Sequence, residues 1–106
     1  PVSYIGFITR LVARPGKRDE LIALNREMCA VSQREPGTLV YVMSQNADDP
    51  DELWYFDVYA DQAAFETHCS GDVYQRMMTS IGDLAGDISA TRLTPFAAKQ
   101  LLEVEG

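Results

Sequence analysis

The single histidine of the chain, His68, is the side chain best suited to acid–base chemistry near neutral pH. It follows Phe65 by three residues in a segment predicted to be helical, so both side chains lie on one helical face. Phe65 has to be buried, and we therefore expect His68 to point inward too. There it could take a proton from an acidic phenol or enol, or hydrogen-bond its oxygen. The alternative is a histidine that is hydrogen-bonded within a packed core.

Aromatic and polar side chains are predicted to face the same space as His68. A mostly apolar wall with a few hydroxyl groups suits a flat aromatic ligand, although the same residues could be ordinary core. Asn25, in the middle of the first predicted helix, either faces this pocket or lies in water at the edge of the apolar stripe. The other candidate lining residues are Phe7, Thr9, Tyr41, Tyr55, Asp57, Tyr59 and Phe65.

The hydrophobic periodicity predicts the elements that position these residues. Strands are expected over 3–13, 38–45, 52–59 and 87–94, with a polar turn over 46–51. Helices are expected over 17–34 and, after an N-cap at Asp61, over 62–69 and 73–81 with an interruption at 70–72. The order βαββαβ indicates an α+β fold of the ferredoxin-like type in one domain, 1–95, followed by a tail, 96–106.

The predicted sheet carries large apolar side chains on both faces, whereas two helices can cover only one. Trp54, Phe56 and Val58 alternate with Tyr55 and Tyr59, so we assign Trp54 to the face away from the pocket. An exposed patch above ~300–600 Å² is unusual on a soluble monomer, and a second copy packed sheet to sheet is the simplest remedy. We therefore expect a homodimer, onto which the apolar tail could cross.

Composition and motifs exclude several classes of function. The net charge of −7 lacks the cationic footprint that nucleic acids and anionic membranes require, and no apolar run is long enough to span a bilayer. The N-terminus does not resemble a secretory signal, and Cys29 and Cys69 fit reduced, buried thiols, so we expect a cytoplasmic protein. No phosphate-binding loop or metal-ligand cluster is present, and we expect no cofactor and no metal. Arg92 could pair with an acid across the dimer or reach a ligand oxygen.

Four landmarks follow one another at family-like separations. They are Pro15-Gly16-Lys17, Glu35-Pro36-Gly37-Thr38, Asp49-Pro50-Asp51 and the run from Tyr59 to His68. Together they resemble the antibiotic biosynthesis monooxygenase family of dimeric α+β barrels, over about residues 3–95. The resemblance implies two four-stranded antiparallel sheets forming a barrel in the dimer, with a pocket between sheet and helices in each subunit.

The family includes cofactor-independent oxygenases of anthrone- or quinol-type aromatics, haem-degrading enzymes and an isomerase. Haem-degrading members use an Asn, a Trp and a His. His68 matches the histidine, whereas Tyr59 and Thr9 occupy the other two positions, which argues against haem degradation. Many members also carry a Glu where this chain has Asp57.

These observations favour a cofactor-independent monooxygenase that oxidises a small quinol-like or polycyclic aromatic substrate. His68 and Tyr59 are the candidate catalytic residues. A non-catalytic module that binds a small apolar metabolite is an alternative, as is an isomerase that uses His68 for proton transfer.

Overall fold

The computed structural model describes residues 3–99 and confirms the ferredoxin-like α+β fold. Its four strands form one antiparallel sheet in the order β2-β3-β1-β4, and the helices cover one face of that sheet. The elements are β1 (Ile5–Ala13), α1 (Arg18–Ser32), β2 (Thr38–Asn46), β3 (Asp49–Tyr59), α2 (Gln62–Ser70), α3 (Asp72–Leu84) and β4 (Ala85–Leu93).

The connection between β2 and β3 is shorter than the sequence predicts. Only Ala47 and Asp48 separate the strands, whereas we expected a turn over 46–51. The Asn46 side chain accepts a hydrogen bond from the Asp48 backbone amide at 2.8 Å, which closes the turn early. Pro50 is tolerated in β3 because the β2–β3 register shifts beside it and β1 does not reach it.

The interruption of the second helical segment is confirmed and lies at Gly71. The extended backbone of Gly71, with φ −74° and ψ 157°, separates α2 from α3. The α3 helix continues to Leu84, three residues beyond the predicted end, and β4 begins directly at Ala85. The predicted N-cap is also present, since the Asp61 carboxylate accepts a hydrogen bond from the Ala64 amide at 2.8 Å.

The main core lies between the sheet and helices α1 and α3. The α1 helix buries residues at spacings of four, three and four, which is the period of one helical face. The core side chains contributed by the strands and helices are Leu11, Ala13, Leu21, Leu53, Tyr55, Leu84 and Ala85.

The opposite surface of the sheet, which we call the open face, carries the exposed side chains Ile8, Val42, Trp54 and Phe56. Trp54 therefore lies on the opposite face from the buried Tyr59, as the alternation predicts. Glu52, at the end of this face, accepts hydrogen bonds from the side chains of Asn46, Trp54 and Arg10. These donors lower the pKa of the Glu52 carboxyl to about 2.

Two predictions about the ends of the chain remain open. Phe96 is almost fully exposed, and residues 100–106 of the predicted tail lie outside the described residues. Whether the tail packs on a partner therefore stays a prediction, as does the boundary at residue 95. Within residues 3–99, no helix is long and apolar enough to cross a membrane.

A close contact between Gly37 and Ala64 fixes where α2 lies. A Cβ atom at Gly37, the residue before β2, would overlap the Ala64 methyl group. The Gly37 carbonyl also accepts a hydrogen bond from the Ala60 amide at 2.9 Å, just before α2 begins. Because α2 carries His68, this contact sets the distance of the imidazole from the sheet.

Gly37→Ala is expected to lower the free energy of unfolding by about 1–3 kcal/mol, because overpacking a rigid contact shifts the backbone. Gly82→Ala is the matched control, since a Cβ atom there meets nothing within 4 Å. Alanine at that helical position should leave stability unchanged or raise it by about 0.4–1 kcal/mol. Urea unfolding measures both changes, and equal stability of the two variants would contradict the close packing at Gly37.

Candidate functional site

A cavity of about 240 Å³ lies between the sheet and helices α2 and α3. Its walls come from all four strands and both helices, and most of them are apolar. The lining residues are Phe7, Thr9, Leu11, Tyr41, Met43, Tyr55, Asp57, Tyr59, Phe65, His68, Tyr74, Met77, Met78, Ile81, Ile88 and Ala90. Every candidate pocket residue from the sequence is among them except Asn25.

His68 is only 2% exposed, and its ring is held from one side by a carboxylate. The imidazole Nδ1 lies 2.8 Å from Glu35 Oε1, and the Thr38 hydroxyl donates to the same oxygen at 2.9 Å. A carboxylate can only accept hydrogen bonds, so Nδ1 carries the proton in this contact. In the neutral imidazole, Nε2 is then left as a free base.

Glu35 is a site residue that the sequence did not single out. It precedes Pro36 in the connection between α1 and β2, where it is predicted only as part of a helix stop. Its approach to His68 spans 33 residues and depends on how α2 packs against the start of β2. The one local signal was its spacing of three residues from Thr38, whose hydroxyl binds it.

Three tyrosine rings surround the imidazole of His68. The ring centroids of Tyr41, Tyr59 and Tyr74 lie 5.1, 5.0 and 5.5 Å from it. Phe65 packs against Tyr59 with ring centroids 5.2 Å apart, and these four aromatic rings form a cage around the imidazole. Tyr74 was not predicted as a site residue because it follows the break at Gly71, across which helical spacing cannot be extrapolated. The cage keeps bulk water from most of the ring.

Asp57 and Tyr59 form a second polar pair in the cavity. They are two residues apart on β3 and therefore share a face, and the Tyr59 hydroxyl donates to Asp57 Oδ2 at 2.6 Å. Burial raises the pKa of the Asp57 carboxyl, although the hydrogen bond from Tyr59 and the charge of His68 oppose this. Burial and the neighbouring Asp57 raise the pKa of Tyr59 well above its usual range. The phenol is thus a neutral hydrogen-bond donor.

Burial also acts on the other phenol and thiol groups in this part of the structure. Burial raises the pKa of Tyr41, and Asp57 adds to the effect. Burial likewise raises the pKa values of the Cys29 and Cys69 thiols, and both cysteines are free. Since the thiolate is the nucleophilic form, neither cysteine is prepared for covalent chemistry. Within residues 3–99, no three His, Cys, Asp or Glu side chains are grouped so that they could hold a metal ion.

Asn25 lies outside the His68 cavity. Its side chain is 4% exposed and its amide nitrogen donates to the Tyr55 hydroxyl. It lines a separate groove of about 530 Å³ between α1 and β2, on the far side of Tyr41, Met43 and Tyr55. Neither alternative considered for Asn25 matches this position, because the residue does not line the His68 cavity and is not in contact with bulk water. A role for Asn25 in binding a substrate stays a prediction.

Arg92 lies on the edge strand β4, where its register partner is Phe7. It is exposed, and among residues 3–99 it forms no ion pair with an acidic side chain. Two roles were considered for Arg92, a bridge across a dimer and a contact to a ligand. Both stay predictions.

Both the sequence and the fold of the chain match a known protein family. The chain matches the family model described as antibiotic biosynthesis monooxygenase over residues 5–80. Protein Rv0793 from Mycobacterium tuberculosis is 28% identical and superposes with a TM-score of 0.82, covering 91% of this chain and 98% of that one. A protein from Chloroflexus aurantiacus that is named for the same family is 27% identical, with a TM-score of 0.79 and coverage of 93% and 99%.

An uncharacterized protein of Synechocystis, sll1783, is 24% identical over 89 residues, which make up 84% of this chain. The chain spans 60% of the length of that curated relative. The family match covers well over half of the sequence. It includes strands β1 to β3, of which β3 carries Asp57 and Tyr59, together with helices α1 and α2 and most of α3. The chain belongs to the antibiotic biosynthesis monooxygenase family.

Proposed function

We propose that this protein is a cofactor-independent monooxygenase of small quinol-like aromatics and that His68 is its base. One observation carries the proposal: the only histidine lies inside an aromatic cavity with Nδ1 held by Glu35, so that Nε2 is free to accept a proton. Membership of the monooxygenase family supports the reaction class. The chain is proposed to act in the cytoplasm.

The first step is removal of a proton from the substrate. Nε2 of His68 takes the proton of an acidic hydroxyl or enol, and Glu35 stabilises the imidazolium that forms. The substrate becomes an electron-rich anion in a cavity whose walls are mostly apolar. The neutral Tyr41 hydroxyl can donate a hydrogen bond to the developing oxyanion because burial keeps this phenol protonated, whereas Tyr59 would first have to release its hydrogen bond to Asp57.

The second step is reaction of this anion with molecular oxygen, the co-substrate. A carbon–oxygen bond forms and gives a hydroperoxide after protonation by the imidazolium. The O–O bond then breaks as water leaves, so that a ring CH₂ group and O₂ yield a carbonyl and H₂O. The substrate carbon is oxidised and oxygen is reduced, and no external reductant is required.

The size of the cavity narrows the substrate class. Its volume of about 240 Å³ is below the ~300 Å³ at which pockets for drug-sized ligands usually begin. One- or two-ring substrates therefore fit better than the larger polycyclic aromatics that the sequence also allows. Phe7, Phe65 and the tyrosine rings provide flat apolar surfaces for such a ring.

A second candidate function is isomerisation by proton transfer. The Glu35–His68 pair could remove a proton from one substrate atom and return it to another without oxygen. A binding module without catalysis would use the same cavity and leave the pair unused. Oxygen consumption separates the first reaction from both alternatives.

His68→Ala is expected to reduce oxygen uptake with a panel of hydroquinones and naphthols by about 10²–10⁴-fold, the usual contribution of a positioned base. Thr67→Ala, at the exposed neighbouring position of α2, is the control and should retain full activity. An oxygen electrode measures both rates. Unchanged uptake in the His68 variant would remove its catalytic role, and isomer formation without uptake would favour the second function.

Glu35→Gln is expected to lower kcat by about 10–100-fold with little change in KM, as losses at partners of functional histidines often do. The amide can donate to Nδ1 and so select the tautomer with the proton on Nε2, which cannot accept another. Glu27→Gln makes the same chemical change in an exposed ion pair with Arg76 and should be silent. A parallel loss in both variants, or a shift confined to KM, would contradict a positioning role for Glu35.

The open face is proposed to pack against a second copy of the chain. Trp54 and Phe56 are 38% and 40% exposed on a sheet surface that no helix covers, and burial of such groups favours association. The predicted barrel would bury this face and leave one His68 cavity in each subunit. Homodimerisation would also enclose the Glu52 hydrogen-bond cluster.

Light scattering is expected to give twice the 11.8 kDa mass of the chain. Phe56→Arg should shift the protein towards the monomer, because it places a charge at the centre of the packed face. Ala30→Arg, on the exposed side of α1, introduces the same residue on the other side of the molecule and should leave the dimer intact. A monomeric wild-type protein at micromolar concentration would overturn this assignment.

A further inference from the structure

The His68 cavity opens to solvent between α3 and the edge strand β4. Three of the residues that line it, Met78, Ile88 and Ala90, are exposed. In the part of the chain that the structure describes, the other lining residues are buried or half-buried. Met78 lies on α3, whereas Ile88 and Ala90 lie on β4, the last strand of the sheet. A ligand that reaches His68 therefore passes between these three side chains.

Strand β4 contains a β-bulge beside this entrance. Two of its residues, Asp87 and Ile88, lie opposite the single β1 residue Leu11, where the register between the two strands shifts. Asp87 has a φ of 49°, in the left-handed region that aspartate adopts more readily than most residues. Two residues against one, with the first in the left-handed region, is the arrangement of a bulge.

The bulge determines which side chain of β4 faces the cavity. Side chains alternate along a regular strand, so residues an odd number of positions apart face opposite sides. Ala85 and Ala90 are five positions apart, yet Ala85 belongs to the core and Ala90 lines the cavity, both on the helix side of the sheet. In a regular strand Asp87 would share the face of Ala85, and Ile88 would point to the open face. With the bulge, Ile88 lines the cavity instead.

We propose that Ile88 sets the upper limit on the size of the aromatic ligand, an inference that rests on the proposed function of the His68 cavity. The cavity has a volume of about 240 Å³, and Ile88 lies at its entrance with a side chain that is 48% exposed. A β-branched side chain has few rotamers, so Ile88 cannot change its shape as the unbranched Met78 can. One- and two-ring phenols pass beside the small Ala90, whereas three-ring phenols meet the branched Ile88 side chain.

The proposal is tested by binding rather than by turnover, with 2-naphthol as the two-ring probe and 9-phenanthrol as the three-ring probe. Fluorescence titration of the full chain without oxygen gives both Kd values, and ¹H–¹⁵N NMR shifts at residues 65–68 locate the ligand. Ile88→Ala should improve the affinity for 9-phenanthrol relative to 2-naphthol by about tenfold, because the entrance is widened. Ile8→Ala removes the same atoms from the open face and should leave the ratio of the two Kd values unchanged.

A second variant tests the entrance in the opposite direction. Ala90→Phe places a ring between α3 and β4 and should weaken the binding of both phenols by about tenfold or more. Ala30→Phe adds the same ring on the exposed side of α1 and should change neither affinity. Because positions 88 and 90 are exposed, neither change removes a buried core contact.

The outcomes separate this proposal from the proposed function. If 2-naphthol binds the wild-type protein beside His68 but Ile88→Ala leaves the Kd ratio unchanged, the role of Ile88 is wrong and the proposed function stands. If the ratio changes as expected but 2-naphthol causes no oxygen uptake in air, the role of Ile88 is supported and the monooxygenase reaction is contradicted for this compound. If neither phenol binds any of the proteins, both proposals fail for this ligand class.

Discussion

The pairing register of β1 with β3 is the constraint on which the other features depend. It sets Phe7 opposite Asp57 and Thr9 opposite Tyr55, all on the side of the helices. Because side chains alternate along a strand, a slip of β3 by one residue would turn Tyr55 and Asp57 to the open face. The same slip would bring Trp54 under the helices. One set of backbone hydrogen bonds thus decides which residues form a cavity and which form an exposed apolar surface.

Much of this arrangement could be predicted from the sequence because it is periodic. Alternation along β3 assigned Trp54 and Tyr59 to opposite faces, and a spacing of three placed Phe65 and His68 on one face of α2. Neither inference needs knowledge of distant parts of the chain. The element order then leads to the ferredoxin-like topology with few alternatives.

The parts that could not be predicted depend on contacts between distant segments. Glu35 meets His68 only because the connection after α1 passes beside α2, and no local pattern encodes that path. Tyr74 reaches the imidazole across the break at Gly71, where the helix changes direction. Asn25 lies on the buried face of α1 together with Leu21 and Met28, and the sequence alone does not show which of two neighbouring spaces that face lines.

The surroundings of the imidazole combine two requirements that usually conflict. Burial removes water, but it also penalises any charge that forms. Here the charge that would form on His68 lies against the Glu35 carboxylate, while the nearby phenols stay neutral. A proton can therefore move within the cavity without leaving an isolated ion. On the opposite wall, the hydrogen bond that Tyr59 donates to Asp57 likewise stabilises a charge on that carboxylate.

The contact between Gly37 and Ala64 has a consequence for how this sequence can change over generations. A side chain larger than hydrogen at 37 overlaps Ala64, so it becomes acceptable only after Ala64 has become glycine. The order of the two mutations is therefore fixed, because the reverse order passes through an intermediate in which α2 is displaced. Glycine at 64 would in turn weaken the first turn of that helix. Either mutation made first is therefore destabilising, and we expect Gly37 and Ala64 to be inherited as a pair.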